Sequence, residues 1–445
     1  MHAKLLKLID SLTRNFWFLP GLMMAASIGL YAITVAFNDS AWVATLQHYD
    51  VVYAGSLSGA QQIVSVIAQT MVAIASLVFA AVVVVLTLAT SQFGHRLIRS
   101  FMRDKSLQYG LGIFVATFVY CLLVLHTMHG AGTRVPSLSV SVAFYLAIIA
   151  GATLIYLTHH IAQMIAAPSI ISEVGVEMEA TIDRAYPEKP ETKPLEPETI
   201  EAALRRLERD GVEVASNARG YIQTLDTSGL IELACEHDLV IEFRSRPGDY
   251  LFDGSLVAKV VSPGRLGTEL EGRIRRSMTI GNRRTPVQDL RFAFNQLAEI
   301  AVRAMSPALN DPFTALDCVN RIGDGIARLA QRSEPSPYHA DSQGRLRLII
   351  KPVRFAELID GVFTPVRNYS RQSVIVTLQM LRAIEELAPL LRGDSARRAL
   401  AEQAVLIRRG AEEALPDVHD YAAVQEIYAR ALEKLGLDES DLPLE

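Results

Sequence analysis

Cysteine is nearly absent, with three residues in 445. Cys121 lies inside an apolar run, and Cys235 and Cys318 stand far apart with no CxxC spacing. That excludes a disulfide framework and a thiolate zinc site. Catalytic signatures are also missing: there is no GxSxG, no HExxH, no Walker loop, and no GxGxxG between a strand and a helix. Asn310, Asp311, Asp317 and Asp324 read as turn, capping and helix-surface residues rather than as metal ligands. The sequence therefore predicts no enzyme, cofactor or metal. The net charge of −5 is too small to point to a partner.

Charge is missing from four long stretches as well. Phe16–Phe37, Ile63–Thr90, Leu111–Thr127 and Leu138–Leu157 are each close to the roughly 20 residues that cross a bilayer. Nothing comparable follows them. The core of the first is too long for a secretory leader and three more follow, so it reads as an uncleaved anchor. Lys4, Lys7, Arg14, Arg96, Arg99, Arg103 and Lys105 mark the cytoplasmic ends. The loop 38–60 carries Asp39, Asp50, Trp42, Tyr49 and Tyr53 but no Lys or Arg, and the turn near Thr133–Ser137 has only Arg134. Those two ends face outward. Both termini then lie in the cytoplasm of a bacterial inner-membrane protein that contacts lipid. His126, His129, His159 and His160 fall at span ends, where histidine serves as an interfacial polar group.

The second run holds an anomaly. From Ser56 to Gln92 no residue is charged, yet Gln, Ser and Thr recur. At about 100° per residue, Ser58, Gln62, Ser65, Gln69, Ala73, Ser76, Ala80, Thr87, Thr90 and Ser91 share one face, while Ile67, Ile74, Val78 and Val85 lie opposite. Such a stripe must meet protein or water, either as a helix-packing seam or as the wall of a water-filled path. A path of this kind needs several copies around an axis, hence a homo-oligomer.

The remainder reads as water-soluble. The predicted organisation is a four-helix transmembrane domain over 1–165, a helical connection and Pro/Glu-rich linker over 166–210, a small β-module over 211–280 and a mainly helical cytosolic domain over 281–445. The fold class is thus an α-helical membrane region plus a cytosolic α+β region. Within the linker, "PEKPETKPLEPE" (Pro187–Glu198) cannot pack a core, and a short helix is expected over Glu201–Asp210. Alternating runs from Gly211 to Val261, punctuated at Asp226–Gly229, Pro247–Gly248 and Asp253–Gly254, predict a small β-barrel or sandwich. "RPGDYLFDGSLVAKV" is similar to strands of lipoyl- and biotinyl-type barrels, but Lys259 sits within a strand-like run rather than at a hairpin tip.

Arginines crowd residues 265–291. Arg275, Arg276, Arg283 and Arg284 form a candidate anion- or headgroup-binding cluster, with ion-paired surface as the alternative, and the lack of interleaved aromatics argues against nucleic acid. Thr285-Pro286-Val287-Gln288 has the form of a helix start, with Val287, Leu290, Phe294, Leu297, Ala298, Ala301, Val302 and Met305 as its buried face. A corner follows at Ser306–Thr314, where Asn310 turns the chain and Asp311 caps a helix opening with Pro312. Arg345–Ile350 reads as a strand, and Phe355–Arg392, Ser395–Leu415 and Tyr421–Leu435 as helices.

Three stretches together, "SQFGHRLIRSFMRD", "RPGDYLFDG" and "QDLRFAFNQLAEIAVRAMSPALNDPFTALDC", resemble the bacterial predicted-membrane-protein family catalogued as domain of unknown function 2254. The resemblance runs from the first span to near the C-terminus. It implies a membrane protein and assigns no catalytic residue. From the residues themselves two functions follow as expectations: a homo-oligomeric channel whose second spans line a path beneath a cytosolic collar, or a membrane-anchored scaffold or sensor.

Overall fold

The computed structural model describes residues 16–38, 40, 43, 49, 52–93, 104–130, 135–164, 166–188 and 195–442. The basic residues used for orientation, except Lys105, lie outside them, as do Asp39, Trp42, Asp50 and residues 189–194. The chain divides into two units, Met1–Ser169 and Ile170–Glu445.

In the first unit, four helices are long and apolar enough to cross a membrane. They are α1 (Phe18–Phe37), α2 (Leu57–Phe93), α3 (Lys105–Gly130) and α4 (Ser137–Met164). α3 is central and packs against the other three, while α4 also touches α1 and α2. Gly112 lets α1 come close, since a Cβ there would overlap Met23 Sδ and press on Pro20 Cα. The interior is knit by hydroxyls, which a bilayer requires to be satisfied within the protein. Thr34 Oγ1 on α1 lies 2.9 Å from Tyr120 OH on α3 and accepts from Ser139 Oγ on α4 at 3.1 Å. Tyr120 OH also donates to the Ser139 carbonyl at 3.2 Å. All three residues are buried. Near one end of these helices Tyr31 and Thr127 share a hydrogen bond, and Asn38 Oδ1 accepts from Leu138 N at 3.1 Å.

The second unit takes up most of α5 (Ala167–Ala185) and then α6 (Pro197–Asp210), which starts inside the stretch expected to be linker because Pro197 is well suited to a first helical turn. Strands follow: β1 (Val212–Ala215), β2 (Gly220–Leu225), β3 (Val240–Phe243), β4 (Tyr250–Leu251), β5 (Leu256–Val261), β6 (Met278–Gly281), β7 (Tyr338–Ala340) and β8 (Leu346–Ile350). They form a five-stranded sheet ordered β1-β5-β3-β8-β7 and a three-stranded sheet ordered β4-β2-β6. No barrel closes among the described residues, which corrects the barrel expectation. Two helices unforeseen in the sequence, α7 (Thr227–Glu236) and α8 (Thr268–Arg276), pack between strands instead. The Asp226–Gly229 punctuation is the start of α7: Asp226 Oδ1 accepts from Gly229 N at 3.0 Å, and Leu230, Leu233 and Ala234 bury at helical spacing.

Both sheets and these two helices share one core around Ile222, Ile241, Phe243, Val257, Ile274 and Leu348. On the other face of the larger sheet, Leu207 of α6 covers Val240, Val261, Leu346 and Ile349. β3 pairs with β8 in parallel, Ile241 against Leu348 and Phe243 against Ile350, so the sheet depends on residues about a hundred positions downstream.

The helical part holds α9 (Leu290–Ala304), α10 (Pro312–Ala330), α11 (Phe355–Ser370), α12 (Val374–Leu387), α13 (Asp394–Ala414) and α14 (Val418–Leu435). The helical stretch expected near Phe355–Arg392 is divided after Ser370: α11 packs on α9 and α13, and α12 on α10, α13 and α14. No Gly or Pro stands at the break, Arg371–Ser373.

Candidate functional site

The polar stripe of α2 faces away from its own unit. Among the described residues of this helix, Ala60, Val64, Ile67, Ala68, Met71, Val78 and Val85 are buried, and the helix packs on α3 and α4. Ser58, Gln62, Gln69, Ala73, Ser76, Ala80 and Thr87 are exposed, and Ser65 is half-buried. By helical geometry the centre of the stripe is about 180° from the packed face. The side chain of Ser91 lies outside the described residues. Contacts made by the stripe are local: Gln69 Nε2 donates to Ser65 Oγ at 3.2 Å, Thr87 Oγ1 to the Val83 carbonyl at 2.8 Å, and Ser56 and Ser58 share a bond at 3.2 Å. The seam inside the four-helix unit is therefore not this stripe but the Thr34–Tyr120–Ser139 cluster. Those three hydroxyls are scattered over three runs and show no periodicity, so nothing in the sequence groups them.

In the second unit, the candidate arginine cluster is parted among different carboxylates. Arg275 Nη2 bonds Glu271 at 2.8 Å and its Nε donates to the Ala215 carbonyl at 2.7 Å. Arg284 grips Asp289 with Nε at 2.7 Å and Nη2 at 3.0 Å. Arg276 and Arg283 are exposed, and neither has an ion pair among the described residues. Arg284 alone joins a denser network that the sequence reading did not group. Asp289, almost wholly buried, also accepts from Phe292 N at 3.0 Å and thereby caps α9. The helix consequently begins at Leu290 rather than at Pro286, and Val287 is exposed. Thr285 Oγ1 is buried without a partner among the described residues, and Gln288 bonds both the N–H and the carbonyl of Leu225, at 2.7 and 3.2 Å. A carboxylate fixed by a guanidinium outcompetes the Thr hydroxyl as the cap.

Next to Asp289 lies Gly248 at φ +94°, where a Cβ would overlap the carboxylate. This glycine brings the "RPGDYLFDG" loop onto the "QDLRFAFNQ" helix. Asp249 then accepts from Arg291 Nη2 at 2.6 Å and from Arg246 N at 2.8 Å. Glu357 of α11 receives both Nη atoms of Arg246 at 2.9 Å and Arg291 Nη1 at 3.4 Å. Burial works against ionising Glu357, but Arg246 and Arg291 hold its carboxyl below the usual range. Three arginines and three carboxylates thus join two stretches that carry the family resemblance. Beside them opens a cleft of about 690 Å³, lined by Tyr221, Ser245, Asp249, Tyr250, Arg284, Arg291 and Asn295 among others.

The corner after α9 is made of local bonds. The Ser306 carbonyl accepts from Leu309 N at 3.1 Å and Asn310 N at 2.9 Å, Asn310 adopts φ +45°, and Asp311 N bonds back to the Ala304 carbonyl at 2.8 Å. Asp311 Oδ1 accepts from Thr314 N at 3.1 Å and Oδ2 from Thr314 Oγ1 at 2.6 Å, with Pro312 in the first turn of α10. No group of His, Cys, Asp and Glu able to hold a metal occurs among the described residues.

Four apolar helices followed by a mixed sheet-and-helix unit define a membrane protein with four candidate spans. The chain belongs to the family described as predicted membrane protein, domain of unknown function 2254, whose sequence profile matches residues 13–386. It is 30% identical over 435 residues to the uncharacterized protein Rv1290c of Mycobacterium tuberculosis and to the uncharacterized protein Mb1321c of Mycobacterium bovis, covering 96% of this chain and 82% of each relative. No solved structure matches.

Proposed function

We propose that this protein is a non-enzymatic homo-oligomer of the bacterial inner membrane in which copies of α2 gather around an axis and line a permeation path. The α/β units form a cytoplasmic collar around its inner end. The observation that carries this reading is the direction of the stripe. Side-chain amides on a span favour protein or water over lipid, and among the described residues the partners within the chain's own unit lie on the other side of α2. Further copies of the chain supply the missing surroundings. Local bonds such as Gln69 to Ser65 leave most of each amide's capacity open, which suits a wet wall. The clustering of Lys and Arg at the N-terminus and in the loop after α2 supports a topology with both termini inside.

The test uses the full chain without native cysteines, reconstituted in liposomes, with single cysteines at Gln62, Gln69, Ser76 or Thr87 and controls at Val64, Ile67 or Val78. Hydrophilic thiol reagents should modify the first set and spare the second, the stripe cysteines should cross-link between copies, and ion flux should fall when Gln69 is replaced by Leu. Cross-linking between copies with neither thiol modification nor flux would leave a membrane-anchored scaffold or sensor in which the stripe only packs subunits. Monomeric protein throughout would sink both forms of assembly.

A further inference from the structure

The cleft beside the Arg246–Asp249–Asp289–Arg291–Glu357 network is richer in free donors than its charge balance suggests. The three arginines and three carboxylates around it cancel, and each carboxylate is engaged by at least one guanidinium. What remains toward ligands is hydrogen-bonding capacity. Among the described residues, Arg284 Nη1 has no partner, since Nε and Nη2 take Asp289. Arg291 borders the cleft without a free donor in it: its Nε is buried, and both its Nη atoms are held by Asp249 and Glu357. Asn295, one turn further along α9, is half-buried and makes no side-chain hydrogen bond among the described residues. Ser245 and Tyr221 line the same cleft, and the rings of Tyr221 and Tyr250 meet edge to face at 5.0 Å to form a firm wall.

We propose that this cleft binds the phosphate group of a small anionic ligand, with Arg284 and Asn295 as donors. The ion pairs set the guanidinium planes in advance, so little side-chain freedom is lost on binding. The lining brings together side chains from the segment before α9, from α9 itself and from β2. That suits a group with three or four acceptor oxygens better than a planar carboxylate with two. Because the site is neutral overall, recognition rests on these directed bonds, and oxyanions are preferred over chloride. The inference concerns the α/β unit alone and does not depend on what α2 lines.

The phosphate could belong to a soluble molecule or to a lipid headgroup, and two probes separate them. The full chain in a neutral detergent is titrated with inorganic pyrophosphate at constant ionic strength made up with chloride. Separately, it is placed in nanodiscs of phosphatidylglycerol or of phosphatidylcholine, and thermal unfolding of the α/β unit is followed in both series. A concentration-dependent rise with pyrophosphate assigns a soluble ligand, and a rise confined to phosphatidylglycerol assigns a headgroup. In either case Asn295→Asp should weaken the effect by about tenfold or more, because it adds a like charge to the cleft without removing any bond within the protein. Asn295→Ala, which adds no charge, should weaken it less and leave unliganded stability unchanged. No rise with either probe, or a rise that Asn295→Asp leaves intact, overturns the proposal.

Discussion

Single side chains carry much of the order in the α/β unit, and one buried arginine shows how. Arg347 on β8 is 3% exposed and reaches Asp341 at 2.9 Å and Asp238 at 2.7 Å, while Asp341 is itself 5% exposed. Burial alone would raise the Asp341 carboxyl, but the backbone N–H groups of Arg345 and Gln343 and both guanidiniums outweigh it and hold the group at about 2. A carboxyl with an ordinary value near 4 when unfolded and about 2 when folded stabilises the fold above pH 4 and stops doing so as the pH falls toward 2. Thermal unfolding of the protein and of its Asp341→Asn variant, compared from pH 6 down to 2.5, should show a constant gap above about pH 5 that narrows below about pH 4. A gap independent of pH would mean that Asp341 acts through shape rather than charge. Gly248 belongs to the same scale: its positive φ and missing Cβ set the distance between the β3–β4 loop and the capped end of α9.

Among elements, α2 shows what periodicity reveals and what it leaves unsaid. A period of 3.6 exposes two chemically different faces, and that much was legible from Ser58 to Thr87. Which face packs within the unit depends on α3 and α4, which lie elsewhere in the chain, and the packed face proves to be the apolar one. Starts of helices are legible where the cap is a local pair, as with Asp311 and Pro312. They shift where the cap answers to a distant partner, as Asp289 does to Gly248. The short helices α7 and α8 were hidden because nine or ten residues give too few turns to distinguish from alternating strands.

The contrast between the two polar sets of the first unit makes an element-scale prediction. Tyr120→Phe removes a hydroxyl that serves both Thr34 and Ser139, and should cost the four-helix unit about 0.5–2 kcal/mol. Gln69→Leu removes only a bond within α2, so unfolding of the dispersed monomer in detergent should hardly change. Equal losses would mean that the stripe takes part in the internal packing of the bundle.

At the scale of the whole molecule, the architecture of four apolar helices ahead of a mixed α/β unit could be read from the distribution of charge and proline alone. The pairing within the sheets could not, since β3 and β8 are distant in sequence and neither alternates cleanly. The resemblance seen in three separate motifs gains a physical sense as well: two of them, the Arg246–Gly254 loop and the start of α9, are neighbours in space around Asp249, Asp289 and Arg291.

The parallel seam between β3 and β8 has a consequence for the order in which the protein is made. When the ribosome has delivered residues 211–281, the larger sheet still lacks the strand that covers one edge of β3, and about 65 more residues must be synthesised before Leu346–Ile350 arrives. Closing so long a loop is slow, and until it happens Ile241 and Phe243 border an open edge that invites pairing with another nascent chain. A fragment ending after β6 should therefore be insoluble or give no cooperative unfolding transition. One spanning 170–442, which keeps most of α5, should show a single sharp transition, and adding a separate peptide of residues 336–352 to the short fragment should increase its soluble yield. A short fragment that unfolds cooperatively by itself would show that β3 needs no partner on that side, and that the seam is a late addition rather than a condition of folding.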